Sequence, residues 1–371
     1  ITAKRHMIVA GHYLATEAGA KILEAGGNAI DAGVAAGITL GVVHSDQVQF
    51  SGVAPMLIYL AESDKVISIA GLGHWPKAAS LSLFENQYNG KIPLGILRTV
   101  VPAAPDAWIT ALQNYGTMSF GEVASTAIKY AREGITVHPT MAKFLSRYQD
   151  NYRMWPSNSN IWQKNGQPLE VGDLLVQTDL AASIQYMVDQ EAGAVKAGRQ
   201  QGLQAARDAF YIGDIATKIV EYHKQNGGLM TAEDMASYRT PIEEPLSINF
   251  RGTEVFSCRP WCQGPVLLQM LNILNDIDLQ RMGHNSTEYV HYLAETIKLS
   301  FADRERYYGD PNYVNVPIEQ LLSSEFAKKR QQNIDPTKAW PEMPSAGVIK
   351  GFEGTSIVSN TNSAPSFSDP D

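Results

Sequence analysis

Leu14-Ala-Thr-Glu-Ala-Gly-Ala-Lys-Ile-Leu-Glu-Ala-Gly-Gly-Asn-Ala-Ile-Asp31 is the stretch on which the fold turns. Leu14, Ala18, Ile22 and Ala25 recur at helical spacing and make one apolar face, which predicts a helix over 14–25. Gly26-Gly27 then supplies the left-handed freedom that helix ends use, and Asn28 can accept the first amide hydrogen bonds of a second helix. Two helices joined by a glycine pair are therefore expected near the start. The second runs into the most apolar window, 32–43, where Gly33, Gly37 and Gly41 fall at small-xxx-small spacing. That window is too short to span a bilayer, which needs about 20 residues. It reads as a buried core helix packed closely through glycine.

Working outward, Met56-Leu-Ile-Tyr-Leu60, a turn at 62–65 and Val66 to Ala70 predict a hairpin of largely buried strands. Gly71-Leu72-Gly73 then re-aims the chain. Residues 100–230 read as mainly helical. Pro102 and Pro105 introduce a helix that Gly116 stops, and further helices are expected over 120–134, 179–189 and 215–225. Thr231-Ala-Glu-Asp234 is a capping box. Residues 148–172, rich in Asn, Gln, Pro, Ser and Trp, read as surface loop. Leu246, Ile248, Phe250 and Val255 restore strand character. An apolar helix is expected over 266–274. A long amphipathic helix is expected over 286–307, with Glu295 and Lys298 one turn apart. From Trp340 onward Pro, Ser, Gly, Asn and Thr dominate, and 340–371 is expected to be a mobile tail. Strand pairs flanking a helical middle (100–245) predict a layered α+β or α/β domain over 1–339, not a bundle.

Composition sets the outer bounds. The 371 residues allow either two domains or one large α/β domain. A hydrophobic fraction of 44% with 18% charged residues is ordinary for a globular chain and argues against disorder. The net charge of -8, from 38 acidic and 30 basic residues without a Lys/Arg run, excludes an obvious nucleic-acid footprint. Two cysteines exclude a disulfide scaffold. No signal peptide is visible in the N-terminal residues, which leaves open one removed by processing, so the compartment is left open between exported and cytoplasmic; no membrane segment is expected.

The common chemical motifs are missing. There is no Gly-x-Ser-x-Gly elbow, no Walker loop and no His-Glu-x-x-His. Gly71-x-Gly73 lacks a third glycine and does not open a helix, so no dinucleotide site is expected. Cys258 and Cys262 flank Arg-Pro-Trp. Two thiols at that gap cannot make a structural zinc site alone, and they read as loop thiols or as a redox pair. The eight histidines form no ligand cluster by spacing, and His284 and His291 read as surface residues. No metal and no cofactor are expected. The chain reads as part of an enzyme whose nucleophile lies elsewhere.

Several strings then act together. They are the 14–31 stretch, Asp208-Ala-Phe-Tyr-Ile-Gly213, Thr231 to Tyr238, Leu268-Gln-Met-Leu-Asn-Ile-Leu274 and Phe301-Ala-Asp-Arg-Glu-Arg-Tyr-Tyr-Gly-Asp-Pro311. In number and order, over roughly residues 6–330, they resemble the γ-glutamyltransferase family. The resemblance implies an N-terminal-nucleophile hydrolase with a four-layer αββα sandwich. In that family a precursor cuts itself before a threonine. The new N-terminal threonine, on a small subunit, is the nucleophile, and its own free α-amine can serve as base. The resemblance therefore implies that this chain is the large subunit, that it carries no catalytic residue, that processing occurs at Asp371 and that the threonine follows directly. It also implies an obligate small-subunit partner in a heterodimer, with a dimer of heterodimers left open.

The resemblance breaks at one place. Family members carry Arg-Glu after the first hairpin, and the arginine grips the glutamyl α-carboxylate by a bidentate pair. Here the matching stretch is Ala70-Gly-Leu-Gly-His-Trp-Pro76, with Leu72 at the arginine position and Gly73 at the glutamate. The glycine run before the hairpin is likewise reduced to Ser51-Gly-Val-Ala-Pro55. A leucine cannot replace a guanidinium fork. The pattern is closer to the branch that hydrolyses other amides, such as oxamate amidohydrolases and acylases. Leu72, Gly73, His74 and Trp75 are the candidate substrate-binding residues; ordinary packing behind the hairpin is the other reading of His74 and Trp75. Arg98, Arg259 or Arg304 could supply a carboxylate clamp instead, although Arg304 is expected to pair with Asp303 or Asp310. Three readings follow: an amide hydrolase acting through a threonyl acyl-enzyme, a true γ-glutamyltransferase or glutathione hydrolase, and an inactive binding relative.

Overall fold

The computed structural model describes residues 2–352. Two compact units divide the chain, one comprising Ile1–Met56 and Ile69–Ile242, the other Leu57–Ser68 and Glu243–Asp371. The Asp371 processing site expected from the sequence lies outside the described residues.

The first unit is mainly helical. Its opening helices are Tyr13–Glu24 and Ala29–Val43, joined by Gly26 in the left-handed region (φ 93°). Asn28 caps the second helix as expected, accepting from Ile30 N and Asp31 N in a reciprocal box with Asp31. Asp31 does more than cap. Its fully buried carboxylate also accepts from Thr117 N at 2.9 Å and Thr117 Oγ1 at 2.6 Å, while Asn28 Nδ2 donates to Tyr115 O at 2.7 Å. One short motif thus ties the helix start to the end of helix Ala104–Tyr115. A carboxylate accepting several charge-assisted bonds repays its desolvation.

The glycine reading of Ala29–Val43 holds at two positions of three. A Cβ on Gly41 would lie 2.9 Å from Phe50 N, and one on Gly37 3.0 Å from Trp108 Nε1. Gly33 is exposed and meets nothing within 4 Å. Around this helix pack Tyr13–Glu24, Ala104–Tyr115 and Phe120–Glu133. Thr178–Ala194 packs on Phe120–Glu133, and Arg199–Tyr211 packs on Thr178–Ala194. Glu191 reaches across to accept from Phe120 N and Gly121 N, both at 2.7 Å, a carboxylate set at a helix N-terminus.

The 148–172 stretch corrects the expectation of a loop. It holds two short helices, Gln149–Arg153 and Pro156–Trp162, and a two-residue ladder of Gln163–Lys164 with Gln167–Pro168. Pro156 at the first helical turn supplies the dihedral that starts the second helix. Helices Leu81–Tyr88, Pro139–Arg147 and Arg199–Tyr211 were not specified by pattern. The last has two buried aromatics at its end but a wholly polar first turn.

Strands Met56–Leu60 and Lys65–Ile69 form the expected hairpin, and Ile242–Glu243 joins them in a three-stranded sheet whose end strand is Met56–Leu60. The expectation of largely buried strands fails for that end strand. Leu57 is 43% and Tyr59 60% exposed, because no element among the described residues covers that face. In the second unit Leu246–Phe250 pairs antiparallel with Thr253–Ser257, and helix Gly264–Leu274 packs against both.

Helix Thr287–Tyr307 organises the rest of this unit, and Glu295 and Lys298 pair as expected at 2.7 Å. Arg304 differs from expectation: it binds Glu305 and stacks on Phe301 at 4.6 Å. Asp303 instead pairs with Arg330 on helix Ser324–Gln331. The 340–352 stretch carries no helix or strand, yet it is pinned. Trp340 O accepts from Lys298 Nζ at 2.7 Å, Gly347 N donates to Asp303 at 2.6 Å, and Ile349 is buried beside Tyr307, Leu321 and Phe326.

Candidate functional site

Gly71 and Gly73 explain how the strip 70–76 is seated. A Cβ on Gly71 would stand 2.3 Å from Ala54 O, and one on Gly73 1.9 Å from Val101 O. Only glycine lets the strip lie between the loop at 52–54 and the chain entering helix Ala104–Tyr115. Backbone bonds fix it on both sides: Ala54 N donates to Gly71 O at 2.8 Å, and Val101 N to His74 O at 2.8 Å. Tyr238 Oη donates to Leu72 O at 3.1 Å.

The backbone is thus clamped while the side chains face outward. Leu72 is 36% and Trp75 43% exposed, and His74 is exposed too. His74 meets Tyr238 edge-on at 5.7 Å, and Trp75 meets Phe84 edge-on at 5.9 Å. The four candidate residues lie side by side on a rigid support.

The support beneath them is a buried charged network, which sequence reasoning missed. Arg207 binds the Asp106 carboxylate and the Tyr238 carbonyl, and Thr240 N donates to the second Asp106 oxygen at 2.7 Å. Tyr211 Oη donates to Pro102 O at 2.7 Å, and the Arg207 guanidinium lies 4.7 Å from the Tyr211 ring. Burial pushes Tyr238 up to about 12 and raises Tyr211 well above the usual phenol value, so both phenols stay protonated donors at neutral pH. The only sequence signal was that Tyr211 and Tyr238 fall inside family-like strings.

The other arginines are placed elsewhere. Arg98 Nε donates to Ile92 O at 3.3 Å. In the second unit Arg259 borders a cavity of about 380 Å³ with Pro260, residues 311–316 and Ile318, and donates to Glu244 O at 3.4 Å. Arg207 is committed to Asp106. No arginine of the strip itself exists.

Cys258 and Cys262 are free, half-buried thiols in the turn before helix Gly264–Leu274. A hydrogen bond from Cys262 lowers Cys258 to about 7, while the same contact and burial push Cys262 up. They are neighbours in space as well as in sequence. His284 and His291 behave as surface residues, the latter bonded to Asp335 O at 2.7 Å.

The histidine expectation needs correction. His12, His44 and His138 assemble around Asp46 in the first unit. His44 Nδ1 lies 3.0 Å and His138 Nε2 3.9 Å from Asp46 Oδ1. His12 and His138 are both helix N-caps, accepting from Leu14 N and Met141 N at 3.2 Å. Separations of 32 and 94 residues hide such a cluster from any spacing rule.

The chain has the fold of the N-terminal-nucleophile hydrolase class, as its likeness to solved structures of that class shows. A sequence model of the Gamma-glutamyltranspeptidase family matches residues 15–363, and the chain belongs to that family. The glutathione hydrolase proenzyme of Escherichia coli K12 is 33% identical over 347 residues, covering 92% of this chain and 57% of that protein. The acylase ACY 1 proenzyme of Pseudomonas sp. SE83 is 33% identical over 356 residues, covering 92% and 61%. This chain therefore spans about three-fifths of such relatives. Among solved structures, Helicobacter pylori γ-glutamyltranspeptidase superposes with a TM-score of 0.84 at 29% identity, covering 97% of this chain and 99% of that chain. A cephalosporin acylase from Bacillus halodurans gives 0.77 at 29% identity, covering 87% and 58%.

Proposed function

We propose that this chain is the large subunit of a self-processed amide hydrolase, and that its substrate lacks the α-amino-acid head of a γ-glutamyl group. The observation that carries the reading is Leu72. The strip where relatives place a guanidinium here offers a leucine, an imidazole and an indole, all outward-facing on a clamped backbone. That surface suits an apolar or aromatic acyl group with one polar contact at His74. A leucine would leave a desolvated carboxylate without a partner, an expensive arrangement.

In this reading a threonine at the start of a second chain attacks the amide carbon. Its own α-amine takes the hydroxyl proton and returns it to the departing amine. Backbone amides hold the oxyanion, and water then hydrolyses the acyl-enzyme. The end strand Met56–Leu60 supports a second chain. A hydrophobic edge with exposed Leu57 and Tyr59 is a liability unless another element covers it.

Glutathione hydrolysis is the second reading, favoured by the naming of the Escherichia coli relative. It requires that the glutamyl carboxylate be gripped from outside 70–76.

The test compares turnover of a γ-glutamyl anilide with that of N-acyl amides lacking the α-amino acid. The expected order favours the simple amides by at least about tenfold in kcat/KM, and Leu72→Arg should shift that ratio toward the glutamyl substrate. The opposite order, with Leu72→Arg neutral, overturns the reading. Mass spectrometry of the mature protein should find two chains, one beginning with threonine; a single intact chain with full activity would sink the mechanism.

A further inference from the structure

Asp46 and His138 carry polar atoms that the fold leaves unpaired. The Asp46 carboxylate is fully buried, and its Oδ2 has no hydrogen-bond partner among the described residues; His138 Nε2 has none either. Buried polar atoms are nearly always paired, so two orphans in one cluster ask for an explanation. One donor atom each from His44, Asp46 and His138 lies within 4.8 Å of the others.

We propose that His44, Asp46 and His138 bind a divalent transition-metal ion of the zinc class. Two imidazoles and one carboxylate are the donors of a three-ligand zinc site, whereas calcium and magnesium call for oxygen throughout. The distances suit it. Bonds of about 2.0–2.1 Å in a tetrahedron place ligand atoms roughly 3.3 Å apart. The observed 3.0 and 3.9 Å to Asp46 bracket that value, and the two histidine donor atoms lie within 4.8 Å of each other, so side-chain adjustment closes the site.

Two interactions oppose loading. The hydrogen bond between His44 Nδ1 and Asp46 Oδ1 at 3.0 Å gives way when both atoms turn to an ion. His138 Nδ1 accepts from Met141 N, whereas an imidazole bound through Nε2 carries its proton on Nδ1. Loading therefore exchanges a helix cap for a coordinate bond. A neutral cap supplies roughly a tenth of the free energy of structural zinc coordination, so the ion wins. Pro139 at the first turn keeps the helix start in place when the cap is released. His12 stands 5.4 Å from His138 ring to ring, and it is not among the residues whose donor atoms lie within 4.8 Å of one another. The ion would cross-link the C-cap of helix Ala29–Val43 to the N-cap of helix Pro139–Arg147.

The experiment titrates the mature protein, stripped with chelator, with Zn²⁺ by calorimetry and with Co²⁺ by visible absorption. The expected result is one ion per large chain with Kd below about 1 μM, and a cobalt spectrum without a thiolate band. His138→Asn keeps a cap acceptor and His44→Gln keeps size; each should weaken binding at least about tenfold while the metal-free Tm stays near wild type. Absence of saturable binding overturns the proposal. So does unchanged affinity in both variants, or a thiolate band that disappears in Cys258→Ser, which would place the ion at the cysteine pair.

Discussion

Arg207→Met tests whether the buried network holds the candidate site in place. The side chains of Asp106 and Arg207 are 1% and 3% exposed, so their ion pair is shielded from water and salt. Methionine keeps the stem and removes the fork. Asp106 loses its charged partner, and the Tyr238 carbonyl loses its donor. Breaking a buried pair on one side costs about 3–5 kcal/mol, and loss of the Tyr211 stacking adds up to about 1 kcal/mol. At roughly 2–4 °C per kcal/mol for a unit of this size, Tm should fall by about 10 °C or more.

The double variant Asp106→Leu/Arg207→Met sharpens the case. Replacing both members of a buried pair is often neutral. Here Thr240 N and Tyr238 O would still be stranded, at about 1–3 kcal/mol each, so the double should remain at least about 2 kcal/mol below wild type. Urea unfolding followed by circular dichroism at unchanged m gives these numbers. Arg207→Met within about 1 kcal/mol of wild type, or full recovery in the double, would refute the assignment of the network as the support of the strip.

Two further outcomes are expected. Gly73→Ala places a methyl 1.9 Å from Val101 O and should cost about 2–3 kcal/mol with loss of activity, whereas Gly33→Ala, with open space around it, should be neutral or stabilising by up to about 1 kcal/mol; thermal melts and turnover of both variants check this. Burial raises Asp303 to about 6 despite Arg330, so the folded state binds its proton more tightly than the unfolded chain, and this contribution is present at low pH and lost as pH rises from about 4 to about 6. The stability difference between wild type and Asp303→Asn should therefore shrink by about 2 kcal/mol across that window, and a flat difference would contradict it.

Local signals were legible wherever one short segment contained both cause and effect. Asn28 and Asp31 cap their own helix, Thr231 and Asp234 do the same, and Glu295 meets Lys298 one turn away. Long-range pairing was not legible. Nothing near Arg207 in the chain points to Asp106, 101 residues away, and Arg304 chose its neighbour Glu305 over either aspartate expected. The strip 70–76 was located by family pattern, but its rigidity comes from contacts to 54, 101 and 238 that only the fold supplies. The histidine cluster was invisible for the same reason. The half-exposed first hairpin failed expectation because an apolar pattern reports that a strand is suited to being covered, not that a described element covers it.

Family-like strings and the candidate strip occupy different physical environments. Asp31, Tyr211, Asp234, Tyr238, Gln269 and Asp303 all belong to the quoted strings, and all are buried hydrogen-bonding residues that join distant segments. Replacing any of them strands a buried partner, so the fold itself restricts them. Leu72, His74 and Trp75 stand outside the network with their backbone held and their side chains free. Changing such a side chain costs little in stability, because the clamp runs through main-chain atoms and Tyr238 Oη. A scaffold of this kind can exchange an arginine for a leucine at the strip without touching its support. The buried strings therefore fix the fold, and on the proposed function the choice of acyl group falls to three exposed side chains whose backbone is held by residues 54, 101 and 238.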